Sequence, residues 1–309
     1  MFGKGVPVRE VFYFDLQRRV TAHKTMEAWD NIPHAGLIID LDVTDVLALT
    51  QSLKTNPEFA EAPLSINSVM LKIIAEGLKE SPLLNAYVTY KKRSDVGQVT
   101  VFDDINIAMP VLLEDGRTIT PVLHQVGAKS LREVGRAMAD LRRRIANTNV
   151  DFLLLEAGKR DTIRRVLRGD PAVAWRIWAN FFGKGRLRLP PDAAFKAYER
   201  IPESDRVTPE DLLSATILVS NIGSAMPELR AHVALLEIIP PQSAAIGLGA
   251  VRKAPLVKTN ADGIDEVVVR VCMPMSLYFD HRSIDFFHIM GFLKRVLALC
   301  EKPGALLSL

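Results

Sequence analysis

Two cysteines in 309 residues are too few for a disulfide framework, and Cys272 and Cys300 supply no zinc-type ligand set. So little cysteine fits a reducing compartment, and the expected location is the cytoplasm. A run of ~20 apolar residues, enough to cross a bilayer, is missing. The least polar stretch, Ala231 to Ala250, is broken by Glu237 and by Pro240-Pro241. Met1 to Asp15 lacks the apolar centre of a secretory leader. Charge of one sign is lacking too: 39 Lys and Arg oppose 36 Asp and Glu, a net charge of +3. That balance names no polyanionic partner. There is no glycine-rich phosphate loop of the dinucleotide or Walker type, no internal repeat and no low-complexity tract. What is present is 48% hydrophobic residues, enough for a substantial core in one large domain or two.

The periodicities place elements along that chain. Residues 37–43 alternate as a strand, and Thr44 is expected to cap the helix that follows. Residues 66–79 put Val69, Ile73, Ile74 and Leu78 on one helical face. Residues 99–113 read as two strands before a turn at Glu114-Asp115-Gly116. Ser130 is expected to cap a helix carrying Leu131, Val134, Met138, Leu141 and Ile145 in one stripe. Residues 216–221, 244–248, 266–272 and 275–279 read as strands, and 291–299 as an amphipathic helix. Strands alternating with helices predict an α/β or α+β domain.

One stretch differs from the rest. Between Lys159 and Arg188 nine basic residues face only Asp161 and Asp170, a local charge of +7 that leaves the remainder at −4. Trp175, Trp178 and Phe182 share a helical face there, with Phe181 beside it. Such a stripe either packs on the protein's own body with its arginines in water, or forms a membrane or partner surface. Nucleic acid is the disfavoured third reading.

The strongest local signal is Ser276-Leu277-Tyr278-Phe279-Asp280-His281-Arg282-Ser283-Ile284-Asp285. It reads as a buried strand running into a tight turn, delivering a histidine with a carboxylate four residues later. A histidine at a strand end can have one ring nitrogen fixed and the other free to take a proton, and imidazole suits that task near neutral pH. The spacing alone is common by chance. The other histidines, His23, His34, His124, His232 and His288, have no companions at metal-ligand spacing, and no metal is expected.

Asp280-His281-Arg282-Ser283-Ile284-Asp285 resembles the signature of the acyltransferase components of 2-oxo acid dehydrogenase complexes. A related pattern marks chloramphenicol acetyltransferase, which shares that family's fold. Further blocks resemble the family in the right order: Asn31-Ile32-Pro33-His34 with Ile39-Asp40-Leu41-Asp42-Val43-Thr44, then residues 65–85, 105–122 and Thr216-Ile217-Leu218-Val219-Ser220-Asn221-Ile222-Gly223. The resemblance implies a single acyltransferase catalytic domain over residues 1–309, built on a mixed sheet flanked by helices, with its active site at a trimer interface. It also makes residues from about 149 to 206 a basic, aromatic helical insertion. Lipoyl and peripheral-subunit-binding domains have no counterpart in the sequence, so a lipoyl group would come from another protein in trans.

The resemblance implies His281 as general base, Ser220 as oxyanion donor, and coenzyme A as the carrier of the acyl group. Asp285 would fix the catalytic loop through an ion pair with Arg19 or Arg18. His34 would be structural. Phe286, Asn221 and Gly223 are candidates for the acyl or acceptor pocket. Phe286 stands where the family has glycine, which points to an altered acyl or acceptor site. The apolar tail, with Leu306, Leu307 and Leu309, resembles the segment that docks trimers into larger cages. A non-catalytic, self-assembling core protein is the alternative to an active transferase.

Overall fold

The computed structural model describes residues 6–113, 116–167 and 192–309. The Trp175, Trp178 and Phe182 stripe, and with it the expected membrane or partner contact, lies outside them. The chain begins with α1 (Leu16–Asn31), β1 (His34–Asp42), α2 (Thr44–Lys54) and α3 (Ile66–Lys79). A hairpin of β2 (Ala86–Lys91) and β3 (Val96–Val101) follows. Then come four very short strands, β4 (Ile107–Ala108), β5 (Val111–Leu112), β6 (Thr118–Ile119) and β7 (Val122–Leu123). Helices α4 (Leu131–Ala146) and α5 (Val150–Leu167) are followed by a helix over Asp192–Glu199. The last third holds β8 (Ile217–Asn221), one helical turn (Ile222–Ala225), β9 (Ala244–Leu248), β10 (Arg252–Thr259) and β11 (Asp265–Asp280). The helix Phe286–Glu301 closes the fold.

These strands form the expected mixed sheet. It has seven strands in the order β1-β11-β9-β8-β4-β7, with β10 added to β11. β8 runs parallel to β4 and β9, and the remaining pairs are antiparallel. Where the sequence predicts two strands, at 266–272 and 275–279, one continuous β11 is found. Pro274 does not break it. Its carbonyl still accepts from the Gly249 amide at 2.8 Å, and its N–H-less nitrogen faces the same residue just past the end of β9, so the one bond it cannot donate falls where that pairing stops.

Helices cover one face. α3 lies at the centre, and Val69, Ile73, Ile74 and Leu78 are all buried, as are Met70 and Leu71 on its other sides. Its lone buried cation, Lys72, is offset by Glu76 one turn on, 2.7 Å away. On α4 the stripe Leu131, Val134, Met138 and Leu141 is the buried one, and Ser130 and Glu133 form a capping box. The opposite face carries a second cluster that includes Ile32, Leu218, Ala245 and Tyr278. There the segment around Val233 crosses the sheet. Its carbonyl accepts from Ser276 Oγ and Tyr278 Oη, each at 2.7 Å, and a Cβ on Gly247 would meet the Val233 side chain at 3.1 Å. His34 ties the same segment down: Nε2 accepts from the Ile238 amide at 3.0 Å, while Nδ1 donates to the Ile32 carbonyl at 2.8 Å.

Two expectations are corrected. Thr44 is the first residue of α2 rather than its cap, and its hydroxyl donates to Asp42 Oδ1 at 2.7 Å. Leu306 is 1% exposed and belongs to the chain's own core, so of the three tail leucines Leu307 and Leu309 are the exposed ones. The region read as an insertion starts inside the body: Val150, Phe152 and Leu153 at the head of α5 are buried, and Phe152 stacks with Tyr198 at 5.2 Å. Arg206 closes its far end, pairing with Glu156 at 3.0 Å and lying over the Tyr198 ring.

Asp42 makes the fold acid-sensitive. Burial alone would raise its pKa, but hydrogen bonds from Thr44, Arg270 and Lys258 outweigh that and hold it at about 2. A carboxyl whose folded pKa lies below its unfolded value stabilises the fold above the unfolded pKa and loses that contribution as pH falls through the folded one. Asp42→Asn is therefore expected to destabilise the protein at pH ~6 by about 1–2 kcal/mol, after allowance for solvent screening, and by progressively less towards pH ~2. Urea midpoints across that range check it; an equal loss at both ends would rule it out.

Candidate active site

β11 ends on Asp280, which is fully buried. A buried carboxylate needs a partner, and Arg282 supplies it two residues on. Arg282 Nε reaches both Asp280 oxygens, at 2.9 and 3.1 Å, and Nη2 donates to Oδ2 at 2.5 Å. The Arg282 amide adds a further bond to Oδ1 at 3.0 Å. The amides of Ser283 and Ile284 both return to the Asp280 carbonyl at 3.1 Å. The turn is thus closed around one buried anion.

His281 sits at the apex of this turn. Its amide donates to the Pro33 carbonyl at 3.0 Å, which fixes the backbone against the chain entering β1. Its ring Nδ1 lies 3.0 Å from the Ile284 carbonyl. A carbonyl only accepts, so that contact puts the proton on Nδ1 and leaves the Nε2 lone pair open. The ring packs edge-on to Phe279, with centroids 6.0 Å apart, yet the side chain remains 54% exposed. A held but accessible imidazole is the geometry a general base requires.

Asp285 is beside it, with Oδ1 3.5 Å from His281 Nδ1. Among the described residues no ion pair joins Asp285 to Arg19 or Arg18, and the neutral His281 ring is its neighbour instead. Arg19 Nε donates to the Phe14 carbonyl, and the Arg18 amide to Asp15. Phe286 opens the C-terminal helix at 61% exposure, with Phe287 at 79%. Neither ring fills a pocket of its own chain, so an apolar patch borders the histidine.

Ser220 lies elsewhere. It pairs with Gly247 on β9, and Gly247 pairs with Ser276 on β11, five residues before His281. Two strand spacings of ~4.8 Å and five residues of ~3.3 Å put Ser220 roughly 19 Å from His281. Alternation along β8 places Ser220 on the side of Leu218, away from the helices. Asn221 points the other way, donating to Asn67 Oδ1, while Asn67 Nδ2 donates to Ser224 Oγ at 2.7 Å. Gly223 is there for space: a Cβ would come within 2.4 Å of the Gly249 carbonyl oxygen.

The family model "2-oxoacid dehydrogenases acyltransferase (catalytic domain)" matches residues 9–152 and 193–308. The chain belongs to this family. Among curated relatives, the dihydrolipoyllysine-residue acetyltransferase component of the Mycobacterium tuberculosis pyruvate dehydrogenase complex is 23% identical over 87% of this chain and 37% of its own length. The corresponding Zymomonas mobilis protein is 24% identical over 94% of this chain and 50% of its own length. The chain therefore spans half or less of these relatives. In fold it is similar to the cubic core of a pyruvate dehydrogenase multienzyme complex, with TM-score 0.65, 21% identity and coverage of 99% of this chain and 96% of the other. A dihydrolipoamide acetyltransferase of Azotobacter vinelandii superposes with TM-score 0.64 at 20% identity, over 99% of this chain and 96% of the other.

Two features of this family member escaped the sequence reading. The Asp280–Arg282 clamp has a local signal, an acid and a base two apart at a strand end. The Asn67–Asn221 bond has none, because its partners are 154 residues apart. No cluster of metal-ligating side chains occurs among the described residues, and no helix among them is long and apolar enough to cross a membrane.

Proposed function

We propose that the chain is the catalytic core of a CoA-dependent acyltransferase that exchanges an acyl group between a CoA thioester and a dihydrolipoyl-type thiol, working as a homotrimer. The observation that carries this reading is the His281 ring, with Nδ1 engaged by a carbonyl on a side chain that is half exposed. Nε2 takes the proton of the attacking thiol, and the sulfur bonds to the thioester carbonyl carbon. The carbonyl oxygen becomes an oxyanion that the Ser220 hydroxyl stabilises, an effect typically worth ~10²–10³-fold. Collapse breaks the original C–S bond, and the departing thiolate recovers the proton from the imidazolium. One thioester is exchanged for another.

The separation of Ser220 from His281 supports a site shared between subunits, since two groups ~19 Å apart cannot serve one carbonyl. The exposed Phe286 and Phe287 favour the same arrangement, because an apolar patch of this kind is ordinarily covered. The acyl acceptor would be a lipoyl group on another protein. Leu307 and Leu309 remain open for assembly into a larger cage.

Mixed oligomers test this reading. His281→Ala and Ser220→Ala proteins are each expected to be strongly impaired alone. Co-assembled in equal amounts, they should recover about one quarter of wild-type transfer, the fraction of sites that pair an intact histidine with an intact neighbouring serine. No recovery in a confirmed mixed trimer would count against the shared site. Full activity in both single variants would return the alternative, a core protein that does no chemistry.

A further inference from the structure

A cavity of about 390 Å³ lies behind β8, on the face opposite Ser220. Its walls are apolar: Val219 and Leu248 from the sheet, Leu71 from α3, and Met138, Leu141 and Ile145 from α4. That size falls within the range of small-molecule pockets. Methionine at such a wall adapts to the shape of what enters. One end is polar, where Asn67, Asn221 and Ser224 meet. Ser224 Oγ accepts from Asn67 and its amide donates to Asn221 Oδ1, so the serine proton is left to donate.

The rim carries a cation. Arg142 borders the cavity and, among the described residues, has no carboxylate partner. Three other arginines of α4 are engaged. Arg143 pairs with Asp140 and Asp205, Arg144 with Asp211, and Arg136 with Glu61. A guanidinium suits a carboxylate or phosphate, while the apolar interior rejects charge and accepts a hydrocarbon chain. The two requirements are met together by an amphipathic anion with its head at the rim.

We propose that this cavity is a binding site for a medium-chain acyl carboxylate, held by Arg142 at the head and by the Val219–Leu248–Met138 wall along the chain. The alternation of β8 keeps it apart from the thioester exchange, which involves the Ser220 face, so the proposal goes beyond the transfer reading. Asn221 follows Ser220 directly, so an occupied cavity would hold the strand end that carries the oxyanion donor.

Calorimetric titration of the full chain with octanoate, octyl phosphate and 1-octanol tests it, because the three share one chain and differ in the head. Octanoate is expected to bind more tightly than octanol. Arg142→Gln should weaken octanoate ~10-fold or more and leave octanol unchanged. Arg142 is a surface side chain, so the fold is expected to survive its replacement. Met138→Trp, which fills the cavity, should remove binding of both ligands. Octyl phosphate binding more tightly than octanoate would overturn the carboxylate assignment. Equal affinity for octanoate and octanol in the wild type, octanoate binding that ignores Arg142, or no binding to the folded wild type would each overturn the site. The readout is binding, so none of these outcomes depends on the transfer reaction.

Discussion

His281→Ala is expected to lower acyl transfer from acetyl-CoA to free dihydrolipoamide by ~10²–10⁴-fold, the usual contribution of a positioned general base. The fold should survive. The His281 side chain is 54% exposed, and its main tether is the backbone bond to Pro33, which alanine keeps. Release of CoA, followed with and without the thiol acceptor, measures the effect, and circular dichroism with sedimentation confirms the oligomer. Asp285→Asn is the useful contrast. Its carboxylate is 3.5 Å from Nδ1, beyond a good hydrogen bond, and 70% exposed. It touches no reacting atom, and Nδ1 retains its contact with the Ile284 carbonyl. Its loss should therefore cost much less than the loss of the imidazole. Equal losses for the two variants would mean that the carboxylate, not the carbonyl, orients the base. Transfer unchanged in His281→Ala would remove the histidine from the mechanism.

The second large effect is on stability. Asp280 is fully buried and Arg282 only 21% exposed, and together they close the turn that presents His281. Removing one partner of a buried pair leaves the other without compensation. Arg282→Ala leaves a carboxylate buried with no cation, and is expected to destabilise the fold by about 3–5 kcal/mol. Asp280→Ala should be milder, because the longer Arg282 side chain already meets water and also lies over the Tyr90 ring, 5.8 Å from its centroid. The double variant should be more stable than Arg282→Ala alone. Urea unfolding at one fixed protein concentration compares the three, since an oligomer's midpoint moves with concentration. A double variant less stable than either single would show that the two residues act separately and that the clamp is not a unit. Both single variants should also lose transfer, because the histidine is aimed by the turn rather than by its own packing.

The sequence reaches different depths in different parts of this protein. Helix α4 and its cap were legible because Ser130, Glu133 and the Leu131–Val134–Met138–Leu141 stripe are all local. The same holds for β8 and β9 and for the strand that ends at Asp280. Periodicity and capping act over a few residues, so one sequence carries them. The sequence reads β11 as two strands, 266–272 and 275–279, on either side of Met273-Pro274. That Pro274 lies opposite Gly249, where the pairing with β9 stops, is a tertiary fact. The exposure of Leu306 could not be judged from an apolar tail, because burial depends on the C-terminal helix and α2 beside it.

The site divides along the same line. His281 and its turn were set by six consecutive residues, and the family membership followed from short blocks in order. The partner of Asp285 was not: the sequence offers Arg18 and Arg19 by resemblance, and the geometry places the histidine beside it. Which face of β8 holds Ser220 follows from alternation once Leu218 and Val219 are assigned to their separate cores, and only packing assigns them. The cavity with Arg142 at its rim is assembled from α3, α4, β8 and β9, and no local pattern announces it. Local chemistry is written in neighbouring residues. The distances between elements arise from long-range packing, which brings together side chains that share no sequence window.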